Sequence, residues 1–210
     1  MQRILIVDDH EVVRDGVKRL LEEQPAPVLC GEAGTPDDAI RLASRGDWDV
    51  VVLDLSFGGR SGLDVLKQLK QIRPHVPVLV LTMHSEEQYA RRAFKAGAAG
   101  FITKDSPRAE LSRAIRKVMD GGKYLSPALA EKLIIDLERH DDRPRDQTLS
   151  DREFQVMRLI ASGKTLSEIA DLLSLSDKTI STYRARLLEK MGMRTNAELT
   201  HYAIQNKLVD

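Results

Sequence analysis

The sequence predicts two folded units: an α/β unit built on a doubly wound five-stranded parallel sheet, then a smaller all-α unit of four helices. Three observations predict this. Over the first 121 residues, short β-branched runs alternate five times with longer amphipathic stretches, the pattern of a parallel sheet with helices on both faces. After residue 148 no strand-like run occurs and helix caps follow one another at short intervals. The length, 210 residues, suits one medium and one small domain.

The strands are expected at Ile4 to Val7, Val28 to Cys30, Val50 to Leu53, Val78 to Leu81 and Gly100 to Ile102. The third, Val50-Val51-Val52-Leu53, is apolar on both faces, as a central strand covered by helices must be. Helices are expected at Glu11 to Gln24, Thr35 to Arg45, Ser61 to Arg73, Ser85 to Ala96 and Ser106 to Asp120. Pro36 after Thr35, and Gly97 after Ala96, supply start and stop signals.

Gly121-Gly122 closes this unit, which spans 1–121. A connector over 122–147 follows, with Ser126-Pro127 opening a helix that runs to about Arg139. The segment HDDRPRDQT after it is charged, carries Pro144 and reads as an exposed linker. The last unit, 148–210, begins with a helix from Asp151 to Ala161 that stops at Ser162-Gly163. Thr165 with Glu168 makes a capping box for Leu166 to Leu173. Ser176 caps Asp177 to about Met191, which stops at Gly192; Thr195 with Glu198 makes a second box for Asn196 to about Asn206. Two helices joined by Ser174-Leu175-Ser176 form a helix-turn-helix.

Composition narrows the function classes. Hydrophobic content of 42% with 30% charged residues fits a globular chain and excludes a disordered one. Lys+Arg and Asp+Glu both number 32, so gross charge selects no polyanionic partner and any basic surface must be local. Cys30 is the only cysteine, which excludes an intrachain disulfide and a multi-cysteine metal site; it reads as a small, at least half-buried thiol. No apolar run approaches a membrane span, and Met1-Gln2-Arg3 leads into a short apolar run and two aspartates, unlike a signal peptide. The cytoplasm is the expected compartment, with no membrane partner.

Polar residues gather where a doubly wound sheet opens its crevice, at the carboxyl ends of the strands. Asp8 and Asp9 follow the first strand, Asp54 the third, Thr82 the fourth and Lys104 the fifth. Singly, each aspartate reads equally as a helix cap or turn former, the threonine as structural and the lysine as solvated. Jointly, the carboxylates make sense around a hard divalent cation, Mg²⁺, with positions left for phosphate oxygens. Asp54 is then a nucleophile that accepts a phosphoryl group. Thr82 donates to the new phosphoryl oxygens and Lys104 pairs with their charge.

ILIVDDHEVVRDGVKRLL, VVVLDLSFGGRSG, LVLTMHS and AGFITKD together resemble the response-regulator receiver domain, a flavodoxin-like fold. The resemblance implies phosphorylation of Asp54 by a sensor histidine kinase. It implies Mg²⁺ on Asp9, Asp54 and the Ser56 carbonyl, with Asp8 acting through the hydration shell. It also makes Phe101 the rotating aromatic of a switch, for which a plain core position is the equal alternative. Phe57-Gly58 departs from the family's usual Met-Pro or Leu-Pro, while Gly62 keeps its place; a glycine there implies a looser loop.

The predicted helix from Asp177 places Ile180, Leu187 and Met191 on one face, and Lys178, Thr182 and Ala185 on the other with Ser181 and Arg186 at its margins. From Lys178 to Arg194 there are five basic residues and one acidic. That face reads as a DNA surface or, alone, as a solvated basic stripe. The segment LSDREFQVMRLIASGKTLSEIADLLSLSDKTISTYRARLLEKMGMRTNAELTHYAI resembles the LuxR-type DNA-binding domain, and the two-domain order that of the NarL/FixJ class. The resemblance implies a transcription regulator rather than an enzyme, acting on double-stranded DNA as a homodimer, with RNA polymerase a further partner. Lys178, Ser181, Thr182 and Ala185 would face bases, and Thr179, Arg184, Arg186 and Lys190 the DNA backbone. Leu199, Tyr202 and Ala203 form an apolar stripe that fits either a dimer contact or core.

Overall fold

The computed structural model describes residues 1–24, 26–57, 61–83, 86–127, 129–131, 145–206 and 208–209, in two compact units. In the first, strands β1 (Gln2–Val7), β2 (Val28–Ala33), β3 (Val50–Leu53), β4 (Val78–Thr82) and β5 (Gly100–Thr103) alternate with helices α1 (Glu11–Glu22), α2 (Pro36–Arg45), α3 (Gly62–Ile72), α4 (Glu86–Lys95) and α5 (Arg108–Met119). The sheet is parallel throughout, in the order β2-β1-β3-β4-β5. The chain reverses its direction of travel across the sheet at β1, which puts a crevice beyond the carboxyl ends of β1 and β3.

Alternation along the strands sends Ile4, Ile6, Val50, Val52, Leu79, Leu81 and Ile102 into one core layer. There they meet Val17, Leu20 and Leu21 of α1 and Leu111, Ile115 and Val118 of α5. All four residues of β3 are buried, as the unbroken apolar run requires. β2 extends past Cys30 through Gly31, Glu32 and Ala33, because β1 offers a ladder along its whole length, Val7 pairing with Ala33. Glu32 is tolerated there because β2 is an edge strand and its carboxylate meets Arg14 and Lys18. Burial pushes the Cys30 thiol up, consistent with an inert half-buried cysteine.

After α5 the chain returns to the other edge. Tyr124 forms a parallel bridge with Gly100, and its phenol donates to Glu110 Oε1 at 2.9 Å. Ser126 caps the connector helix, its Oγ accepting from the Leu129 amide at 3.2 Å. Of the helix expected from Pro127 to Arg139, residues 128 and 132–139 lie outside the described residues, as does most of the expected linker.

The second unit contains α6 (Asp151–Ala161), α7 (Leu166–Leu173), α8 (Asp177–Met191) and α9 (Asn196–Gln205). Thr165 and Glu168 form the expected capping box, and Ser150 with Glu153 forms one the sequence reading did not name. The box expected at Thr195 is one-sided: Thr195 accepts from the Glu198 amide, but the Glu198 carboxylate turns to the Arg194 amide at 2.6 Å. The α7–α8 turn is held by Ser174 in the left-handed region, φ 53°. One residue near the end of the linker is buried rather than solvated. Arg145–Thr148 makes a 3₁₀ turn, and Asp146 is buried with its carboxylate accepting from the Tyr202 hydroxyl at 2.8 Å. Among the described residues no helix is long and apolar enough to cross a membrane.

Candidate functional site

Register builds the first site. Val7 and Leu53 are paired across β1 and β3, so the residues after them, Asp8 and Asp54, leave the sheet side by side. The Asp54 amide donates to the Val7 carbonyl at 2.8 Å and fixes that adjacency. Thr82 ends β4 opposite Thr103, and the Lys104 amide donates to the Thr82 carbonyl at 2.9 Å, which brings the lysine over the same crevice.

The side chains converge. Lys104 Nζ lies 2.6 Å from Asp8 Oδ2 and 2.8 Å from Asp54 Oδ2, with the three side chains 11%, 3% and 0% exposed respectively. Burial alone would push the Lys104 ammonium down, but hydrogen bonds to Asp54 and Asp8 outweigh it and hold it above its ordinary 10.5. Asp9 stands more open, and its Oδ1 lies 2.8 Å from His10 Nδ1. Ligating atoms of Asp8, Asp9, His10 and Asp54 all fall within 4.8 Å of one another. Asp54 Oδ1 is buried without a hydrogen-bond partner. An unpartnered buried carboxylate oxygen is costly unless something else meets it, and a divalent cation with oxygen ligands suits this set.

Thr82 and Phe101 are both fully buried, so Phe101 occupies the core position of its two readings in this structure. Ser56 is half-buried in the loop after Asp54. Phe57 is buried and anchors the start of that loop; Gly58, the other departure from the family pattern, lies outside the described residues. A Cβ on Gly62 would stand 2.3 Å from Leu55 Cα, so only glycine lets α3 close against the segment that follows Asp54.

Sequence reasoning missed two residues. His10 was legible as the third member of an Asp-Asp-His run. Arg14 Nη1 donates to the Asp8 carbonyl at 2.8 Å, a contact to a residue outside the helix that periodicity does not signal.

In the second unit, α8 buries Ile180, Leu187 and Met191 and presents Lys178, Ser181, Thr182, Ala185 and Arg186 to solvent. A shallow depression of about 270 Å³ is lined by Lys178, Thr179, Thr182, Tyr183 and Arg186. Two of the cations expected at DNA are engaged within the unit. Lys190 Nζ lies 2.7 Å from the buried Glu153 carboxylate, and Arg184 Nε donates to Asn196 Oδ1 at 2.6 Å. Leu199 and Ala203 are buried in the unit's own core.

A family model of the response regulator receiver domain matches residues 4–116, and one of the bacterial regulatory proteins of the luxR family matches residues 147–203. The chain belongs to the LuxR-type response regulators. This response regulator is 34% identical over 209 residues to the response regulator UvrY of Escherichia coli K12, covering 99% of this chain and 96% of that one. It is 36% identical to the response regulator GacA of Pseudomonas aeruginosa, covering 100% and 99%. RcsB of Salmonella enterica serovar Typhimurium, solved bound to a promoter in the presence of the phosphomimetic BeF3-, is similar at 25% identity. Its TM-score is 0.67, with 96% and 97% of the two chains covered. Receiver and luxR-type segments in this order account for both clusters of side chains in this response regulator.

Proposed function

We propose that the chain regulates transcription by binding DNA under control of phosphorylation at Asp54. The observation that carries the reading is the Asp54 carboxylate itself: buried, with Oδ2 on Lys104 and Oδ1 without a hydrogen-bond partner. The receiver would span 1–121, the connector 122–147 and the DNA-binding domain 148–210.

The phosphodonor is a phosphohistidine of a sensor kinase. One carboxylate oxygen of Asp54 forms the new O–P bond as the donor's N–P bond breaks, and the imidazole leaves with a proton from solvent. Lys104 pairs with the incoming phosphoryl charge, and the Thr82 hydroxyl donates to a phosphoryl oxygen. Mg²⁺ would be held by Asp9, Asp54 and the Ser56 carbonyl, with Asp8 acting through its hydration shell; when bound it neutralises charge between carboxylate and phosphoryl oxygens. Lys104 must leave Asp8 to follow the phosphoryl group, and Phe101 re-packs as Thr82 moves. That shifts a two-state equilibrium of the receiver.

On the DNA side, α8 enters the major groove. Lys178, Ser181, Thr182 and Ala185 face base edges, while Thr179 and Arg186 meet phosphates. Arg184 and Lys190 brace α8 against α9 and α6, a change from the backbone contacts expected of them. The regulator acts in the cytoplasm as a homodimer and engages RNA polymerase at the promoter. A receiver signalling only through protein contacts would have no use for the exposed basic face of α8.

Fluorescence anisotropy with promoter DNA tests this. Lys178→Ala with Arg186→Ala should weaken binding and lower the salt dependence by about one unit of slope per phosphate contact removed. A phosphodonor should raise affinity in the wild type and not in Asp54→Asn. Unchanged binding by the double variant contradicts the reading.

A further inference from the structure

The acidic crevice carries a nitrogen that a Mg²⁺ site does not need. His10 Nδ1 faces the carboxylates, 2.8 Å from Asp9 Oδ1 and 3.2 Å from Asp8 Oδ1. For metal–ligand bonds of about 2.1 Å in an octahedral shell, neighbouring ligand atoms stand about 3 Å apart and opposite ones about 4.2 Å. The His10–Asp9 contact, itself of hydrogen-bond length, equals the spacing of neighbouring ligands, and the 4.8 Å limit on the whole set of Asp8, Asp9, His10 and Asp54 is close to the opposite spacing. Asp54 Oδ1, buried and without a hydrogen-bond partner, adds an acceptor that a cation would satisfy.

We propose that His10 gives this site a second binding mode, in which a first-row transition dication is held by the His10 imidazole together with the Asp9 and Asp54 carboxylates. The inference rests on the reading of the acidic crevice as a metal site. Mg²⁺ is a hard cation that takes oxygen and keeps its water, so His10 adds nothing to its affinity. Transition dications accept imidazole readily, so the same crevice discriminates in their favour. The His10 ring is 66% exposed, so when an ion replaces the Nδ1 contacts to the carboxylates, the far nitrogen can carry the ring proton towards water and leave Nδ1 as the donor. The His10 amide donates to Asp8 Oδ1 at 2.9 Å, which holds the residue's backbone against the cluster before any ion arrives.

The test uses Mn²⁺ on the full-length protein, since Mn²⁺ substitutes for Mg²⁺ and reports nitrogen ligation in pulsed electron paramagnetic resonance. Wild-type protein with one equivalent of Mn²⁺ should show nitrogen hyperfine coupling that disappears in His10→Ala and survives in His75→Ala. The preference for Mn²⁺ over Mg²⁺, measured by competition, should fall about tenfold in His10→Ala, the lower end of what losing an organising partner costs at metal sites. If Mn²⁺ binding is weakened by Asp9→Asn but shows no nitrogen coupling, or the preference is unchanged in His10→Ala, the His10 assignment is wrong and the metal site stands. If Asp9→Asn leaves Mn²⁺ binding intact, the metal-site reading fails and this inference with it.

Discussion

Replacing Lys104 by methionine isolates the electrostatics of the crevice. The substitution keeps the length of the side chain and removes, among the described residues, the one cation that touches both Asp8 and Asp54, whose side chains are 3% and 0% exposed. Removing one partner of a buried ion pair costs about 3–5 kcal/mol, chiefly because the remaining charge is left uncompensated. The crevice is open to water at Asp9, so the lower end applies, about 3 kcal/mol. For a unit of this size that lowers the melting midpoint by roughly 10–15 °C. Trp48 is the sole tryptophan and lies in the receiver unit, so its fluorescence follows the right transition. With divalent metal removed by a chelator, the variant should melt well below wild type. Saturating Mg²⁺ should narrow the gap, because an ion at 100 times its Kd adds about 2.7 kcal/mol and meets no competing ammonium in the variant. In the wild type the Lys104 contribution persists at neutral pH, since its pKa lies above 10.5, and is lost only as alkaline pH passes that raised value. A variant within about 1 kcal/mol of wild type in chelator, or equal Mg²⁺ shifts in both proteins, would refute this account of the crevice.

Other perturbations follow from contacts already described. Gly62→Ala forces the backbone away from Leu55 and should cost about 1–3 kcal/mol, read as a lower receiver midpoint and weaker Mg²⁺ binding in a titration. Lys190→Met strands the buried Glu153 carboxylate; because Lys190 is 42% exposed the loss is screened, about 1–2 kcal/mol, in urea unfolding of the DNA-binding unit. Burial would raise the Glu153 carboxyl, but Lys190 and the Ser150 cap outweigh it and hold the pKa below 4.5. Its contribution is therefore present above pH 4.5 and lost as pH falls through the depressed value, which acid unfolding of wild type against Lys190→Met will show.

The layout of the receiver was legible because strand–helix alternation is written in local periodicity and the strand ends carry the polar residues. Once Val7 pairs with Leu53, Asp8 and Asp54 must be neighbours, so the acidic crevice was readable from order alone. What local pattern could not carry was settled by distant partners. β2 runs to Ala33 through Gly31 and Glu32 because β1 supplies the ladder. The Asp146 carboxylate is buried because a tyrosine 56 residues away bonds it, although HDDRPRDQT looks solvated throughout. The family resemblance assigned Lys190 and Arg184 to the DNA backbone, and nothing local in the helix signals the Glu153 and Asn196 waiting on its neighbours. The Leu199 and Ala203 stripe had two readings, and packing within the unit chose core.

Phosphoryl transfer to a single carboxylate is the claim on which the rest stands. Incubating the full-length protein with acetyl phosphate and Mg²⁺, then mapping the acyl phosphate by mass spectrometry after borohydride trapping, measures it directly. One modification, on Asp54, abolished in Asp54→Asn and in chelator, is the predicted result. A label that persists in Asp54→Asn, or that maps to Asp8 or Asp9, contradicts it.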